Sequence, residues 1–218
     1  QLGGFISISG KEKVMNSGKH AAIRFVSARM KQLKAQLRNT AALSIYSDGS
    51  GTAGKEFGGL QKLIADDPTA AGTVGGIDQA AQAFWRNQVQ GSTTAGNVID
   101  DTNIKANLNA LWLPCLRGAD KPDIILNDAV HYDAYETSLQ DLQRFSSSKM
   151  AAAGFEALKY KSADFVYDEN CPTRHSYFCN TDYLHVRRAP GRWFSAGEAR
   201  VIQNGDHEVI PVWLMGNM

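Results

Sequence analysis

The stretch NSGKHAAIRFVSARMKQLKAQLRNTAALS, residues 16–44, contains no proline, and Gly18 is its single glycine. Its small and apolar side chains recur at steps of three and four, at Ala22, Val26, Met30, Leu33, Leu37 and Ala41. This spacing places them on one face of an α-helix. At a rise of about 1.5 Å per residue the helix would be on the order of 40 Å long. The sequence therefore predicts one amphipathic helix that crosses a whole domain.

A short two-faced strand comes before this helix. Phe5, Ser7 and Ser9 alternate with Ile6 and Ile8, and the pattern stops at Gly10. Alternation with a period of two is typical of a half-buried β-strand. We expect residues 5–9 to be the return strand of a hairpin that leads into the long helix.

The segments downstream alternate between helical and strand patterns. Helical spacing occurs in residues 78–89, in a segment capped by Thr102 that runs to Leu116, and in a segment capped by Asn127 or Asp128. Strand patterns occur at residues 122–126, 155–160, 163–167, 177–186, 198–203 and 208–214. No internal repeat is found, so the mixture predicts an α+β fold.

The composition excludes several classes of protein. With 218 residues, 43% of them hydrophobic, the chain is large and apolar enough to bury a core. Its 23 lysines and arginines nearly cancel 22 aspartates and glutamates, which excludes a nucleic-acid binder that is basic over its whole surface. We expect no membrane span, because no window approaches 18 consecutive apolar residues. The three cysteines have no CxxC spacing, which favours reduced thiols.

The long helix and the residues leading into it carry an excess of positive charge. Glu12 is the single acid among eight basic residues, which are Lys11, Lys13, Lys19, Arg24, Arg29, Lys31, Lys34 and Arg38. A charge run of this kind is commonly a solvated face. The alternative is a surface that faces a polyanion such as packaged nucleic acid, where each cation adds a salt-sensitive increment of binding.

One motif resembles a phosphate-binding loop. Residues 49–55, from Gly49 to Lys55, satisfy the first seven positions of the P-loop pattern, but Glu56 stands where Ser or Thr should hold Mg²⁺. The motif also follows a long helix, whereas a P-loop follows a strand. We therefore interpret this segment as a turn-forming loop and keep a nucleotide-binding enzyme as a weaker alternative.

Other residue types suggest a metal site or a catalytic site without completing one. Cys171, His175 and Cys179 could begin a zinc site, but a structural zinc site needs four ligands, and we predict no metal. His131 with Asp128 and Asp133, or Ser47 with Asp48, could form catalytic pairs only if the fold brings them together. Most of these polar residues are better explained as helix caps and turn formers.

Several segments, taken in order, resemble the major capsid proteins of tailed bacteriophages, which have the Hong Kong 97-like capsid fold. The resemblance spans nearly the whole chain and is carried by GFISISG (4–10), NSG (16–18), IYSDG (45–49), GGL (58–60), TVGGI (73–77), FWR (84–86), NTDYL (180–184) and PVWLMGN (211–217). It implies an α+β fold with a long spine helix in a peripheral domain and a compact axial domain. The implied bounds are 1–10 for the return strand of an extended loop, 11–92 and 180–218 for the peripheral domain, and 93–179 for the axial domain.

The resemblance also implies a function, that of a coat protein from a phage or prophage that is not an enzyme. Many copies would assemble in the bacterial cytoplasm into the icosahedral shell of a virion, around double-stranded DNA bound without sequence specificity. A scaffold protein or a maturation protease would be further partners, and no cofactor is implied. We expect DNA to face Lys31, Lys34 and Arg38, and we expect subunit contacts at Phe5, Ile6, Ile8, Gly58, Gly59, Gly75 and Gly76.

Two points qualify the resemblance. The family usually has an arm and the outgoing strand of the extended loop before the matched part, so we expect this chain to begin inside that loop. Encapsulin-type nanocompartments share the fold, and an encapsulin-like shell is the alternative function within the same architecture.

Overall fold

The computed structural model describes residues 2–15, 19–51, 56–70, 72–91, 98–139, 158–202 and 205–218. In chain order its elements are β1 (Leu2–Ser9), α1 (Gly10–Met15), α2 (Lys19–Ser44), α3 (Leu60–Leu63), β2 (Thr73–Val74), β3 (Ile77–Asp78), a 3₁₀ turn (Ala83–Trp85), α4 (Ile104–Trp112), β4 (Ile124–Asn127), α5 (Ala129–Ser138), β5 (Leu158–Tyr160), β6 (Ala163–Tyr167), β7 (Ser176–Cys179), β8 (Arg187–Ala196), β9 (Arg200–Val201) and β10 (His207–Asn217). Within these residues, no helix is both long and apolar enough to cross a bilayer.

The chain folds into two compact units. Unit 1 consists of Gln1–Gly59 and Val186–Met218, and unit 2 consists of Leu60–His185. The boundaries predicted from the sequence lie at 92/93 and 179/180. The assignment of a peripheral and an axial domain to these ranges stays a prediction. Since helices and sheets occur in both units, the predicted α+β class is confirmed.

Unit 1 is an antiparallel sheet with the long helix α2 on one face. Its strand order is β1-β10-β8, and β9 pairs with β10. Ile6 and Ile8 are buried on the helix side, as the predicted alternation requires. On the same side, a Cβ atom at Gly4 would lie 2.6 Å from Leu33 Cδ1, so a larger residue there would require the Leu33 side chain to shift. The predicted long helix is confirmed and spans 26 residues.

The chain enters the helical region through a capping box. The Glu12 backbone N–H donates to Ser9 Oγ at 3.3 Å, and the Ser9 backbone N–H donates to Glu12 Oε2 at 3.1 Å. Arg29 on α2 donates to Glu12 Oε1 at 2.6 Å and to the carbonyl oxygen of Ser7 at 3.0 Å. The backbone N–H of Ser9 and the nearby guanidinium hold the pKa of Glu12 below its usual range. These contacts fix the direction in which β1 leads into α1 and α2.

Unit 2 is built around a mixed sheet with helices α4 and α5. Its strand order is β5-β6-β4-β7, with β4 parallel to β6 and antiparallel to β7. The β5–β6 hairpin turns at Lys161, whose φ is +52°, and confirms the turn predicted at residues 161–162. The core is largely aromatic and aliphatic and includes Trp112, Ile125, Tyr135, Tyr160 and Phe165.

Two predicted helices differ from the structure. Residues 78–89 form only the 3₁₀ turn at Ala83–Trp85, because local side chains satisfy the backbone instead: Asp78 accepts the Ala80 N–H, and Arg86 donates to the Gln79 carbonyl. Thr102 does not cap α4. Its hydroxyl donates to Asp100, and the helix ends at Trp112 rather than Leu116. The helix predicted for residues 78–89 was wrong, whereas the helix predicted after Thr102 is present with a different cap and an earlier end.

The strand pattern near the carboxyl end was also wrong in part. The strand predicted for residues 177–186 ends at Cys179, and the ten-residue strand β8 was not predicted. Pro190 and Gly191 lie inside β8, and both residue types disfavour strands. The structure accommodates them because β8 is an edge strand, where proline removes no required ladder hydrogen bond.

Candidate functional site

Charge is separated between the two units. Unit 1 has thirteen lysines and arginines against six aspartates and glutamates, a formal charge of +7. Unit 2 has ten against sixteen, a formal charge of −6. The near-neutral whole chain thus consists of a basic unit and an acidic unit, each able to attract a partner of opposite charge.

The basic residues predicted to face DNA lie along one side of α2. Lys31, Lys34 and Arg38 follow each other at steps of three and four, so they project from adjacent turns. Lys31 and Arg38 are exposed, and Lys34 is half-buried. None of the three forms an ion pair with a carboxylate in the part of the chain that the structure describes. This side of the helix can therefore bind an external anion without first breaking an internal ion pair.

The three residues of β1 that were predicted at a subunit interface have different surroundings. Phe5 is 68% exposed, whereas Ile6 and Ile8 are 4% and 5% exposed. The two isoleucines lie in the core of unit 1 beneath α2 and have almost no surface to offer a neighbour. Phe5, on the opposite face of the sheet, is the one whose ring is accessible to a partner.

The four glycines predicted at subunit boundaries also divide into two kinds. Gly58 and Gly59 are buried: their N–H groups donate to Asn217 Oδ1 at 2.9 Å and to the Ser47 carbonyl at 2.8 Å. A Cβ atom at Gly59 would collide with the carbonyl of Ile45, so this pair serves packing within unit 1. Gly75 and Gly76 are exposed and have φ values of +60° and +86°. They form the tight turn of the β2–β3 hairpin, a conformation that glycine adopts at little cost.

An arginine stacked on a tryptophan marks the face of the unit 1 sheet opposite α2. The Arg192 guanidinium carbon lies 4.8 Å from the centroid of the Trp213 ring. This pair could not be predicted from the sequence, because the two residues lie on different strands and β8, which carries Arg192, has no strand pattern. No local pattern could have shown it.

The P-loop-like segment and the Ser47–Asp48 pair belong to a turn that follows α2. Residues 52–55 of the motif lie outside the described residues. In the described part, Gly49 has a φ of +74°, and its N–H donates to Ser47 Oγ at 3.0 Å. Asp48 accepts the N–H of Ser50 at 2.9 Å. Ser47 and Asp48 thus hold the turn, as expected of turn-forming residues.

His131 and Asp128 do come together, but not as a catalytic triad. Asp128 caps α5 and accepts the N–H of His131 at 3.0 Å and the N–H of Arg174 at 2.6 Å. His131 Nδ1 lies 2.8 Å from Ser176 Oγ and 3.8 Å from Asp128 Oδ1. A triad needs the serine and the carboxylate on opposite ring nitrogens, whereas here both face Nδ1. Asp133 is exposed and takes no part in this arrangement.

These contacts form a buried polar network that holds the start of α5 to β7. His131 is 4% exposed, and burial lowers the pKa of its imidazole despite the opposing effect of Asp128. The histidine is therefore held neutral near pH 7, which suits a structural hydrogen bond.

The structure does not assemble the zinc ligands considered above. Among the described residues, no group of three or more His, Cys, Asp or Glu side chains is placed to hold a metal ion. Cys171 Sγ contacts the His175 carbonyl at 3.6 Å, and His175 Nε2 lies 3.3 Å from the Asp66 carboxylate. Burial raises the pKa of Cys171 and of Cys179 to about 12, so both thiols stay protonated.

Comparison with known proteins finds similarity among solved structures. No model of a protein family matches the chain, and no curated protein matches it. Among solved structures, the chain is similar to a chain of the cyanophage A-1(L) capsid asymmetric unit, with a TM-score of 0.66. The alignment covers 99% of this chain and 72% of that chain at 16% sequence identity. The two chains therefore share a fold, which agrees with the phage-capsid fold predicted from the sequence.

Proposed function

We propose that this chain is a coat protein whose copies assemble into the closed icosahedral shell of a tailed phage or prophage. The observation that carries the proposal is the fold shared with a cyanophage capsid chain along 99% of this chain. The shell is formed in the host cytoplasm and becomes the capsid of the virion, with a scaffold protein or a maturation protease as further partners. The peripheral domain comprises residues 11–92 and 180–218, and the axial domain comprises residues 93–179.

The distribution of apolar surface supports an assembling protein. Several large apolar side chains are more than two-thirds exposed, namely Phe5, Val14, Met15, Phe84 and Val201. Isolated exposed apolar residues are ordinary, but aromatic residues and methionine are enriched where proteins meet. Phe5 on β1 and Phe84 beside the β2–β3 hairpin are therefore placed to become buried when copies associate.

The second element of the proposal is that α2 contributes to binding the enclosed DNA. Lys31, Lys34 and Arg38 are unpaired with the described carboxylates and project from one side of the helix. Binding of this kind depends on charge and not on base sequence, because lysine and arginine would contact phosphates. DNA binding should therefore weaken with salt and be indifferent to sequence.

The DNA element is tested with the triple variant Lys31→Glu, Lys34→Glu and Arg38→Glu. The slope of log K against log salt should decrease by about 0.9 for each phosphate that the protein no longer neutralises, or roughly three in total. The matched control reverses three exposed cations of unit 2, Lys62, Arg117 and Lys121. Equal losses of DNA affinity in both variants would show that net charge, and not this side of α2, is responsible.

The shell element is tested by particle formation. The purified chain is placed under assembly conditions, and particle size is followed by light scattering and negative-stain microscopy. The proposal predicts closed particles of uniform diameter. Monomers or dimers under every condition would contradict it.

A further inference from the structure

On the face of the unit 1 sheet opposite α2, two glycines flank the ring of Trp213. Gly3 lies beside the indole on β1, where a Cβ atom would stand 3.7 Å from Cδ1. Gly197 lies at the other end of the ring, and a Cβ atom there would come within 2.6 Å of Cη2. Since that distance is too short for a side chain, the half-buried indole could keep its position only with glycine at residue 197.

Arg192 stacks on this indole and keeps its charge available. Its guanidinium carbon is 4.8 Å from the ring centroid, and the side chain is exposed. Arg192 forms no ion pair with any carboxylate of the described residues. An arginine stacked on an aromatic ring loses rotational freedom in advance and keeps its edge N–H donors free for a carboxylate or a phosphate.

An accessible apolar surface continues from the tryptophan along β1. Phe5 pairs with Pro211 and points to the same face as Gly3 and Trp213, because side chains two positions apart share a face. Phe5 is 68% exposed. The four side chains Arg192, Trp213, Pro211 and Phe5 are called the arginine–aromatic strip below.

We propose that the arginine–aromatic strip docks an acidic segment from unit 2 of a second copy of this chain. The inference rests on the proposed shell function and specifies one of its contacts. The occupant follows from charge complementarity, since unit 1 carries +7 and unit 2 carries −6. The combination of Trp, Phe and Arg is typical of protein interfaces, whereas a DNA backbone would leave the Phe5 ring unused.

The test compares two charge reversals in the full chain. Arg192→Glu removes the stacked cation, and Arg200→Glu makes the same change at an exposed arginine of β9 that contacts no aromatic ring among the described residues. Self-association is measured by sedimentation at several protein and salt concentrations. Arg192→Glu should weaken self-association about tenfold or more, as loss of an interface hot spot does, and Arg200→Glu should weaken it about twofold or less. Arg192→Lys should fall between them, because lysine keeps the charge but loses the planar stack.

The possible results separate the two proposals. Wild-type association without closed shells, weakened by Arg192→Glu, would support the docking strip and contradict the shell function. Shells from both wild type and Arg192→Glu, with equal association constants, would overturn the docking strip alone. A wild-type chain that stays monomeric at all concentrations would overturn both.

Two further measurements separate a loss of docking from a loss of folding and from a loss of DNA binding. Urea unfolding of each variant shows whether Arg192→Glu folds as stably as wild type, and Arg192→Gln replaces it if it does not. Binding of a short DNA duplex is measured on the unassembled chain. A loss of DNA affinity with unchanged self-association would assign the strip to a polyanion and overturn the protein-docking proposal.

Discussion

Fully buried side chains are concentrated in unit 2, whereas unit 1 carries a stacked arginine and a row of basic residues on its surface. Of the largest fully buried side chains, five belong to unit 2, namely Phe165, Leu60, Ile104, Ile125 and Asn127, and two belong to unit 1, Leu214 and Val212. Unit 1 instead exposes Phe5, a stacked arginine and the basic side of α2. Unit 2 therefore has more of the fully buried core, and unit 1 carries the basic and arginine–aromatic surfaces on which the proposed contacts depend.

The largest expected effect is the loss of an aromatic ring from the core of unit 2. Phe165 is completely buried, and its ring centroid lies 4.4 Å from that of Tyr135. Phe165→Ala should lower the free energy of unfolding by about 3–5 kcal/mol, measured by urea unfolding of the unassembled chain. Phe5→Ala should change it by less than about 0.5 kcal/mol and should weaken self-association instead. Similar losses of stability at both positions would break the contrast between the units.

The next effect concerns the buried cap of α5. Asp128→Ala removes the acceptor of two backbone N–H groups and should destabilise the chain by about 2 kcal/mol. Asp128→Asn keeps one side-chain oxygen and should cost less. Asp133→Ala, at an exposed position of the same helix, is the control and should be close to neutral. An unchanged unfolding curve for Asp128→Ala would show that the network does not hold α5 to β7.

A smaller effect should appear on acidification. Burial, together with His175 and Arg174, lowers the pKa of His131, while Asp128 raises it. The unfolded chain then takes up a proton at the ordinary pKa of about 6.5, and the folded chain takes it up only at a lower pH. Stability should therefore be constant above about pH 6.5 and decrease below it. His131→Gln should show a shallower decrease in unfolding free energy between about pH 7 and pH 5, and an identical slope would exclude His131 as its source.

The smallest effect belongs to the entrance of α2. Arg29→Ala removes hydrogen bonds to Glu12 and to the Ser7 carbonyl, but these side chains are about one-third exposed. The loss should be under about 1 kcal/mol, because solvent screens partly exposed ion pairs. Lys31→Ala, on the same helix without an ion pair to a described carboxylate, should be neutral in the same urea titration. A decrease of several kcal/mol in the free energy of unfolding of Arg29→Ala would contradict this, because it would show that these surface contacts stabilise the fold of unit 1.

Features set by neighbouring residues could be predicted from the sequence. The steps of three and four in residues 16–44 predicted α2, and the alternation around Ile6 and Ile8 predicted β1. The cap at Asp128 and the turn at Lys161 are local as well. Each depends on a few consecutive residues whose preferences agree with the final fold.

Features that join distant residues could not be predicted in this way. β8 contains Pro190 and Gly191 and becomes a strand only because β10 is there to pair with it. The Arg192–Trp213 stack depends on that pairing. The charge separation was hidden for a related reason: unit 1 comes from both ends of the chain, so the total of +1 is the sum of two opposite charges, +7 and −6.

Particle size tests the central claim most directly. The purified chain is placed under assembly conditions, and its products are imaged by negative-stain microscopy after light scattering. The proposed shell function predicts closed shells of uniform diameter. Monomers or dimers under all assembly conditions would contradict it.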